Sequence, residues 1–292
     1  MTLKEVLNAG CDRLLSAGID EARTECEHML MKLLNLSRSE LLHRMNSGES
    51  LSTELEKQFF AWIQAREKRI PLAYLLGDVF FHSLKLKVGP GCLIPRPETE
   101  LLVDSIIPVL RQKTHPSIAD IGCGSGAIAL ALLNEVRDAH AVLTDVSNEA
   151  LEIARANARE LNLESRAEFI LSDLFSRLEL PPAGGEGREW KFDLIVSNPP
   201  YLTREDMNGL QPELAYEPRL ALDGGLDGLD FYRRIIKDAG EHLKPCGCLG
   251  FELGAGQAQA VSEMLEDAGY TDLRIYKDHQ GIERTLLGRF KD

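Results

Sequence analysis

From residue 117 to the C-terminus, short apolar runs alternate with amphipathic stretches, and this alternation limits the possible folds more than any other feature of the chain. The runs at 118–121, 141–145, 167–172, 192–197, 248–253 and 273–276 are short and rich in aliphatic residues, with a further one at 284–288. They read as buried strands. The segments 127–136, 149–162, 229–243 and 257–268 carry apolar residues at three-four spacing and read as helices. Strands and helices in strict turn imply an α/β fold, with a mostly parallel sheet covered on both faces. The Pro- and Gly-rich stretch 181–187 reads as a flexible surface loop between two strands, with no function assigned to it.

Open sheets of this kind bind ligands beyond the carboxyl ends of their strands, and two such ends carry distinctive turns. Asp120-Ile121-Gly122-Cys123-Gly124-Ser125-Gly126 follows the first sheet strand and opens a helix. Its glycines permit a tight turn and close backbone approach to a ligand, and the helix start adds unpaired N–H groups. Gly122, Gly124 and Ala127 also satisfy the dinucleotide spacing G-x-G-x-x-A. Asp145 ends the second strand, where a carboxylate can accept both ribose hydroxyls of an adenosine; otherwise it belongs to a helix start with Ser147. Asp173, after the third strand, either meets an adenine amino group or caps the turn into Leu174-Phe175.

These features suit NAD and S-adenosylmethionine equally. The second turn separates the two. Phe192-Asp193-Leu194-Ile195-Val196 runs into Ser197-Asn198-Pro199-Pro200-Tyr201, where two prolines remove two backbone donors and fix two φ angles. The product is a stiff turn offering one amide side chain, two carbonyls and one aromatic ring. It suits gripping a planar N–H₂ group, as an N-methyltransferase requires. No hydride-transfer constellation accompanies it.

The first seventy residues read as helices, with Asp20 as an N-cap and capping boxes at Ser37/Glu40 and Thr53/Glu56. From Tyr74 to Val88 the pattern shifts toward period two and reads as a hairpin. The expected organisation is a helical substrate-docking or scaffolding domain over 1–73, a β-hairpin linker over 74–92 and the α/β domain over 93–292. A net charge of −13 argues against a nucleic-acid backbone as the principal partner, since such binding depends on Lys and Arg. Arg66, Lys68 and Arg69 are the densest basic group, read either as a local patch or as a solvated helix end. Six scattered cysteines without a C-x-x-C pair, and dispersed histidines, point to reduced thiols and no metal. No apolar run approaches a membrane span and the N-terminus lacks a signal pattern, so a cytoplasmic protein is expected.

Four separated motifs resemble one family. Leu93-Ile94-Pro95-Arg96-Pro97-Glu98-Thr99-Glu100, the Asp120–Gly126 loop, Asn198-Pro199-Pro200-Tyr201 and Tyr216-Glu217-Pro218-Arg219-Leu220-Ala221-Leu222 are similar to those of the release-factor glutamine methyltransferases (HemK/PrmC). The first and last are the most specific, and the resemblance spans nearly the whole chain. It implies a helical N-terminal domain, a hairpin linker and a Class I methyltransferase (Rossmann-like) domain with a seven-stranded, mostly parallel sheet. It implies further that Gly122, Cys123, Gly124, Ser125, Gly126, Asp145, Leu174 and Asn198 contact S-adenosylmethionine. Asn198, Pro199, Pro200 and Tyr201 would hold the substrate Gln, with Asn198, Pro199 and Tyr201 carrying the transfer. Arg96 to Glu100 would frame the incoming loop, unless Arg96 simply pairs with Glu98 or Glu100. Cys123 stands where the family usually has Thr, and Leu174 where some relatives have an aromatic residue.

The activity so implied is methylation of the side-chain nitrogen of a Gln in peptide-chain release factors, with no membrane and no stable nucleic-acid partner. The Asn-Pro-Pro-Tyr run also occurs in enzymes that methylate exocyclic adenine nitrogens, so an adenine N6-methyltransferase is the alternative within enzymes. A noncatalytic adenosyl-ligand module is the alternative outside them.

Overall fold

The computed structural model describes residues 1–178 and 189–291; the loop expected at 181–187 lies outside them. The chain divides into two compact units, Met1–Gly77 with Gln211–Tyr216, and Asp78–Leu210 with Glu217–Asp292. The division falls at Gly77 rather than at 73, and the hairpin groups with the second unit instead of standing apart as a linker.

The first unit contains α1 (Leu3–Ser16), α2 (Ala22–Leu34), α3 (Arg38–Asn46), α4 (Thr53–Glu67) and α5 (Leu72–Leu76) around an apolar cluster that includes Leu7, Leu30, Phe59 and Ile63. The Ser37/Glu40 capping box forms as expected. The other two starts differ: α2 has no side-chain cap, and α4 is capped by Ser52, which accepts the Leu55 N–H and leaves Thr53 inside the helix. Arg66 is neither a basic patch nor a solvated end. It is buried and ion-paired to Glu25 and Glu213, and Arg69 also meets Glu213.

The second unit opens with the hairpin β1 (Asp78–Phe81) and β2 (Leu84–Lys87), closed by His82 and Ser83 at φ 44° and 66°. Two positive φ values are what a tight hairpin turn needs to match strand twist. Residues 74–76, expected within the hairpin, are helical in α5. There follow α6 (Pro97–Leu110), β3 (Ser117–Ile121), α7 (Ala127–Glu135), β4 (His140–Asp145), α8 (Asn148–Glu160), β5 (Ala167–Leu171), β6 (Phe192–Ser197), α9 (Asp230–His242), β7 (Leu243–Glu252), α10 (Ala258–Asp267), β8 (Tyr270–Lys277) and β9 (Glu283–Phe290). Every expected strand forms; α6 was not anticipated. Its start carries Pro at the first turn with Glu98 and Glu100 beside it, a standard opening for a helix.

The seven-stranded sheet has the order β5-β4-β3-β6-β7-β9-β8, with β9 antiparallel to both its neighbours and the rest parallel. All residues of β6 are buried, as a central parallel strand covered on both faces must be. One apolar cluster joins the sheet to α6, α7 and α8, and a second joins it to α9 and α10. The chain winds outward from β3 through β4 to β5, then returns to β6 on the other side of β3. That reversal opens a crevice between β3 and β6 at their carboxyl ends. Both marked turns stand there.

Candidate active site

The turn after β3 is held from three sides. Gly122 and Cys123 donate backbone N–H groups to the Thr144 carbonyl, and Gly124 donates to Asp145 Oδ2 at 2.9 Å. Asn157, buried on α8, donates from Nδ2 to the carbonyls of Ser125 and Lys87. Gly122, Gly124 and Gly126 all have positive φ, which accounts for three glycines in five residues. A Cβ at Gly122 or Gly124 would meet nothing within 4 Å, whereas one at Gly126 would crowd Ala154, Leu130 and Leu143. The first two face open space; the third faces the core.

Asp145 accepts from Gly124 and from the Ser147 N–H at 2.8 Å. Burial nevertheless raises its pKa, with those backbone bonds pulling the other way. Ser147 caps α8 by accepting the Ala150 N–H, so Asp145 also orders a helix start while its carboxylate borders the crevice. Asp120 lies beneath, fully buried, accepting the Ala129 N–H at 3.1 Å. Burial pushes its pKa up to about 7, and the nearby Asp145 charge adds to the rise.

The turn after β6 is fixed to its neighbour: Ser197 Oγ donates to the Ile121 carbonyl at 2.6 Å. Beyond the prolines, Gln257 Nε2 donates to the Tyr201 carbonyl, and Leu202 exchanges backbone bonds with Leu222 and Gly224. The Asn198 amide is half-buried and donates to Thr99 Oγ1 at 3.3 Å. Thr99 in turn donates to Glu252 Oε2 at 2.5 Å, and the Tyr201 hydroxyl reaches Glu252 Oε1 at 3.5 Å. Glu252 is buried, and its pKa rises to about 7 for that reason.

A cavity of about 430 Å³ lies between the two turns. Gly122, Cys123, Gly124, Ser125, Asp145, Leu174, Asn198, Pro199 and Pro200 line it; Gly126 and Tyr201 do not. Gly126 sits in the core, and the Tyr201 ring packs on the apolar cluster beneath α9 and α10 while its hydroxyl turns to Glu252. Asp173 borders the cavity but is held by both oxygens to Arg234 Nη2 of α9. Arg96 pairs with neither Glu98 nor Glu100. Its partner is the buried Glu217, which also accepts the Ile94 N–H at 2.9 Å. The two most specific motifs are thus one structural unit, and Glu100 instead accepts the His82 N–H.

Glu252 was not singled out from the sequence as a site residue, and Thr99 only as part of the Arg96–Glu100 span expected to frame the incoming loop. Glu252 had a readable signal, an acid at the end of the apolar run Leu249-Gly250-Phe251, whereas Thr99 had only its place in a motif. Phe231 and Arg234, at i and i+3 on α9, likewise reach the cavity without advance notice. Among the described residues, no group of His, Cys, Asp and Glu could hold a metal ion, and no helix is long and apolar enough to cross a membrane.

Two family models match: a PrmC N-terminal domain over residues 5–77 and a methyltransferase small domain over 98–214. The release factor glutamine methyltransferase of Geobacter sulfurreducens is 40% identical, covering 99% of this chain and 96% of its own. That of Moorella thermoacetica is 38% identical, covering 98% of each. Among solved structures, the hMettl16 catalytic domain in complex with MAT2A 3′UTR hairpin 6 matches with a TM-score of 0.57 at 16% identity, over 82% of this chain and 83% of that one. A likeness at that identity concerns the fold alone.

Proposed function

The chain belongs to the release factor glutamine methyltransferase family, and on that premise we propose that it transfers a methyl group from S-adenosylmethionine to N5 of the Gln in the Gly-Gly-Gln loop of peptide-chain release factors. The observation that carries this reading is the pairing of the two turns. A ligand cradle after β3 and an amide grip after β6 are tied by the Ser197–Ile121 bond and share one cavity.

The residues present fit the methyl donor. The cavity is of a size suited to a small-molecule ligand, the open Cβ positions of Gly122 and Gly124 allow close backbone approach, and each Asp145 oxygen keeps a lone pair for a ribose hydroxyl. Gly122 to Ser125 would line the donor, and Leu174, on the cavity wall, would pack on its adenine. When bound, S-adenosylmethionine supplies a sulfonium methyl with a good leaving group.

The chain's own task is to make a poor nucleophile adequate. A carboxamide nitrogen has its lone pair delocalised into the carbonyl. Asn198 Oδ1 and the Pro199 carbonyl accept its two hydrogens, which fixes the nitrogen and favours pyramidalisation. Pro199 and Pro200 hold those acceptors rigid because they fix φ. Orientation of this kind is worth up to roughly 7–11 kcal/mol in well-aligned systems. No strong base is needed beforehand, since attack by the neutral nitrogen gives a cationic N-methylated amide, which is strongly acidic and gives up one N–H proton to water. The Tyr201 ring does not border the cavity, so its contribution is to anchor the turn's far end.

Incubation with S-adenosylmethionine and a release factor should place one methyl on the Gly-Gly-Gln glutamine by mass spectrometry, and none once that Gln is replaced. Asn198→Ala should abolish transfer while weakening donor binding only moderately. Near-normal turnover in that variant would sink the role given to Asn198, and transfer to adenine in DNA would reverse the choice of substrate.

A further inference from the structure

We propose that Glu252 and Thr99 are positioning residues that set which edge of the Asn198 amide meets the substrate; the inference rests on the glutamine-methylation reading above. Glu252 ends β7 and is almost fully enclosed, its backbone carbonyl accepting the Tyr232 hydroxyl at 2.8 Å. Its side chain touches Thr99 through one oxygen and Tyr201 through the other.

An ionised carboxylate can only accept. The Thr99 hydroxyl, with one proton, must therefore direct it at an ionised Glu252, whose Oε2 it reaches. Thr99 Oγ1 then has only lone pairs left to offer. Asn198 can satisfy it with Nδ2 and not with Oδ1, as the 3.3 Å contact shows. Oδ1 becomes the free edge of the amide, the acceptor that a substrate N–H₂ requires. Without this order of donors the Asn198 amide could sit either way, and in the flipped state it would present N–H to N–H. The same carboxylate also holds the Tyr201 hydroxyl, so both ends of Asn198-Pro199-Pro200-Tyr201 are referred to one buried group.

Glu252 does not border the cavity, whereas Thr99 and Asn198 do, so the effect of the carboxylate belongs in turnover rather than in donor affinity. Glu252→Gln keeps size and shape but offers either an oxygen or an amide nitrogen to Thr99, which loosens the polarity. We expect kcat to fall roughly ten- to hundredfold, with the Kd for S-adenosylmethionine, read by calorimetry, within about twofold of wild type. Thr99→Val should match that loss, Thr99→Ser should restore most of it, and the double variant Thr99→Val/Glu252→Gln should be little worse than either alone, because both break one relay.

A role in packing alone predicts the reverse: donor affinity and melting temperature fall with kcat, Ser rescues no better than Val, and the two losses multiply. Those results, or a Glu252→Gln enzyme with kcat within twofold of wild type, would overturn the proposal. A wild-type chain that methylates no glutamine would overturn the functional reading with it, so the two failures are distinguishable.

Discussion

Asp120 and Glu252 are buried to the same degree, and in both burial drives the pKa up to about 7. They differ in what they hold. Asp120 accepts a main-chain N–H, that of Ala129 in the first turn of α7. It therefore fixes a helix start and, with it, the glycine turn that leads into that helix. Glu252 accepts hydroxyls from Thr99 and Tyr201 and thereby orders movable side chains around Asn198. One acid is built into the backbone frame on the methyl-donor side, the other into the side-chain frame on the acceptor side. Burial alone does not assign a role to a carboxylate; its donors do.

If the two acids serve distinct frames, their removal has separable effects. Asp120→Ala leaves the Ala129 N–H unpartnered in the interior and opens a small void. Measured at pH 6, where Asp120 is mostly neutral, unfolding free energy should drop by roughly 2–4 kcal/mol. Affinity for S-adenosylmethionine should fall with it, while kcat at saturating donor stays within a few fold of wild type. Glu252→Gln should show the opposite split. If both variants lose affinity and turnover in the same proportion, the two frames are not distinct.

How visible this division was in the sequence depends on which frame a residue serves. The strand and helix pattern, the glycine turn and Asn198-Pro199-Pro200 were legible because backbone demands leave marks: β-branched runs, glycines at positive φ, prolines that end a strand. The family motifs around Arg96 and Glu217 were visible as strings, but their meeting was not. Nothing in either string says that Arg96 reaches Glu217, over a hundred positions away, rather than the adjacent Glu98. Thr99 and Glu252 were hidden for the same reason. Side-chain networks join positions remote in sequence: the sheet order brings β7 beside β6, and α6 packed on the sheet brings Thr99 to Glu252. Tyr201 was legible as part of a turn, yet its orientation toward the core was not, since an aromatic ring can pack on either side of a strand end.

Within the glycine turn the contrast can be sharpened with a single methyl group. Alanine at Gly126 must adopt φ near 80° and bring its Cβ to 3.2–3.3 Å from Ala154, Leu130 and Leu143. Backbone strain and crowding together should cost about 2 kcal/mol of stability. Alanine at Gly122 incurs the strain alone, and its methyl points into open space. Its stability loss should be about half as large, but S-adenosylmethionine should bind more weakly to Gly122→Ala than to Gly126→Ala. Thermal denaturation with donor titration on both variants reads the two axes separately. Equal donor affinities would show that Gly122 does not border the donor.

The smallest expected effect is the dependence of stability on pH. Glu252 ionises near its ordinary value of 4.5 when unfolded but near 7 when folded, so between those values the native state holds a proton that the unfolded state has released. Stability from this group is therefore greatest at low pH and declines as pH rises toward 7, levelling off above it. Between pH 6 and pH 8 the decline should be about 1–1.5 kcal/mol. Glu98 on α6, Arg284 on β9 and the hydroxyls of Tyr201 and Tyr232 face or flank the carboxyl group; Arg284 opposes the rise and Glu98 adds to it. Glu252→Gln cannot ionise, so the gap in melting temperature between that variant and wild type should shift in the variant's favour across this interval. Asp120→Asn should shift the gap in the same direction, since Asp120 has the same raised pKa. Turnover separates them again: ionisation of Glu252 is what makes Thr99 donate away from Asn198, so wild-type kcat should climb through pH 7 as stability declines. Asp120→Asn should keep that climb and Glu252→Gln should lose it.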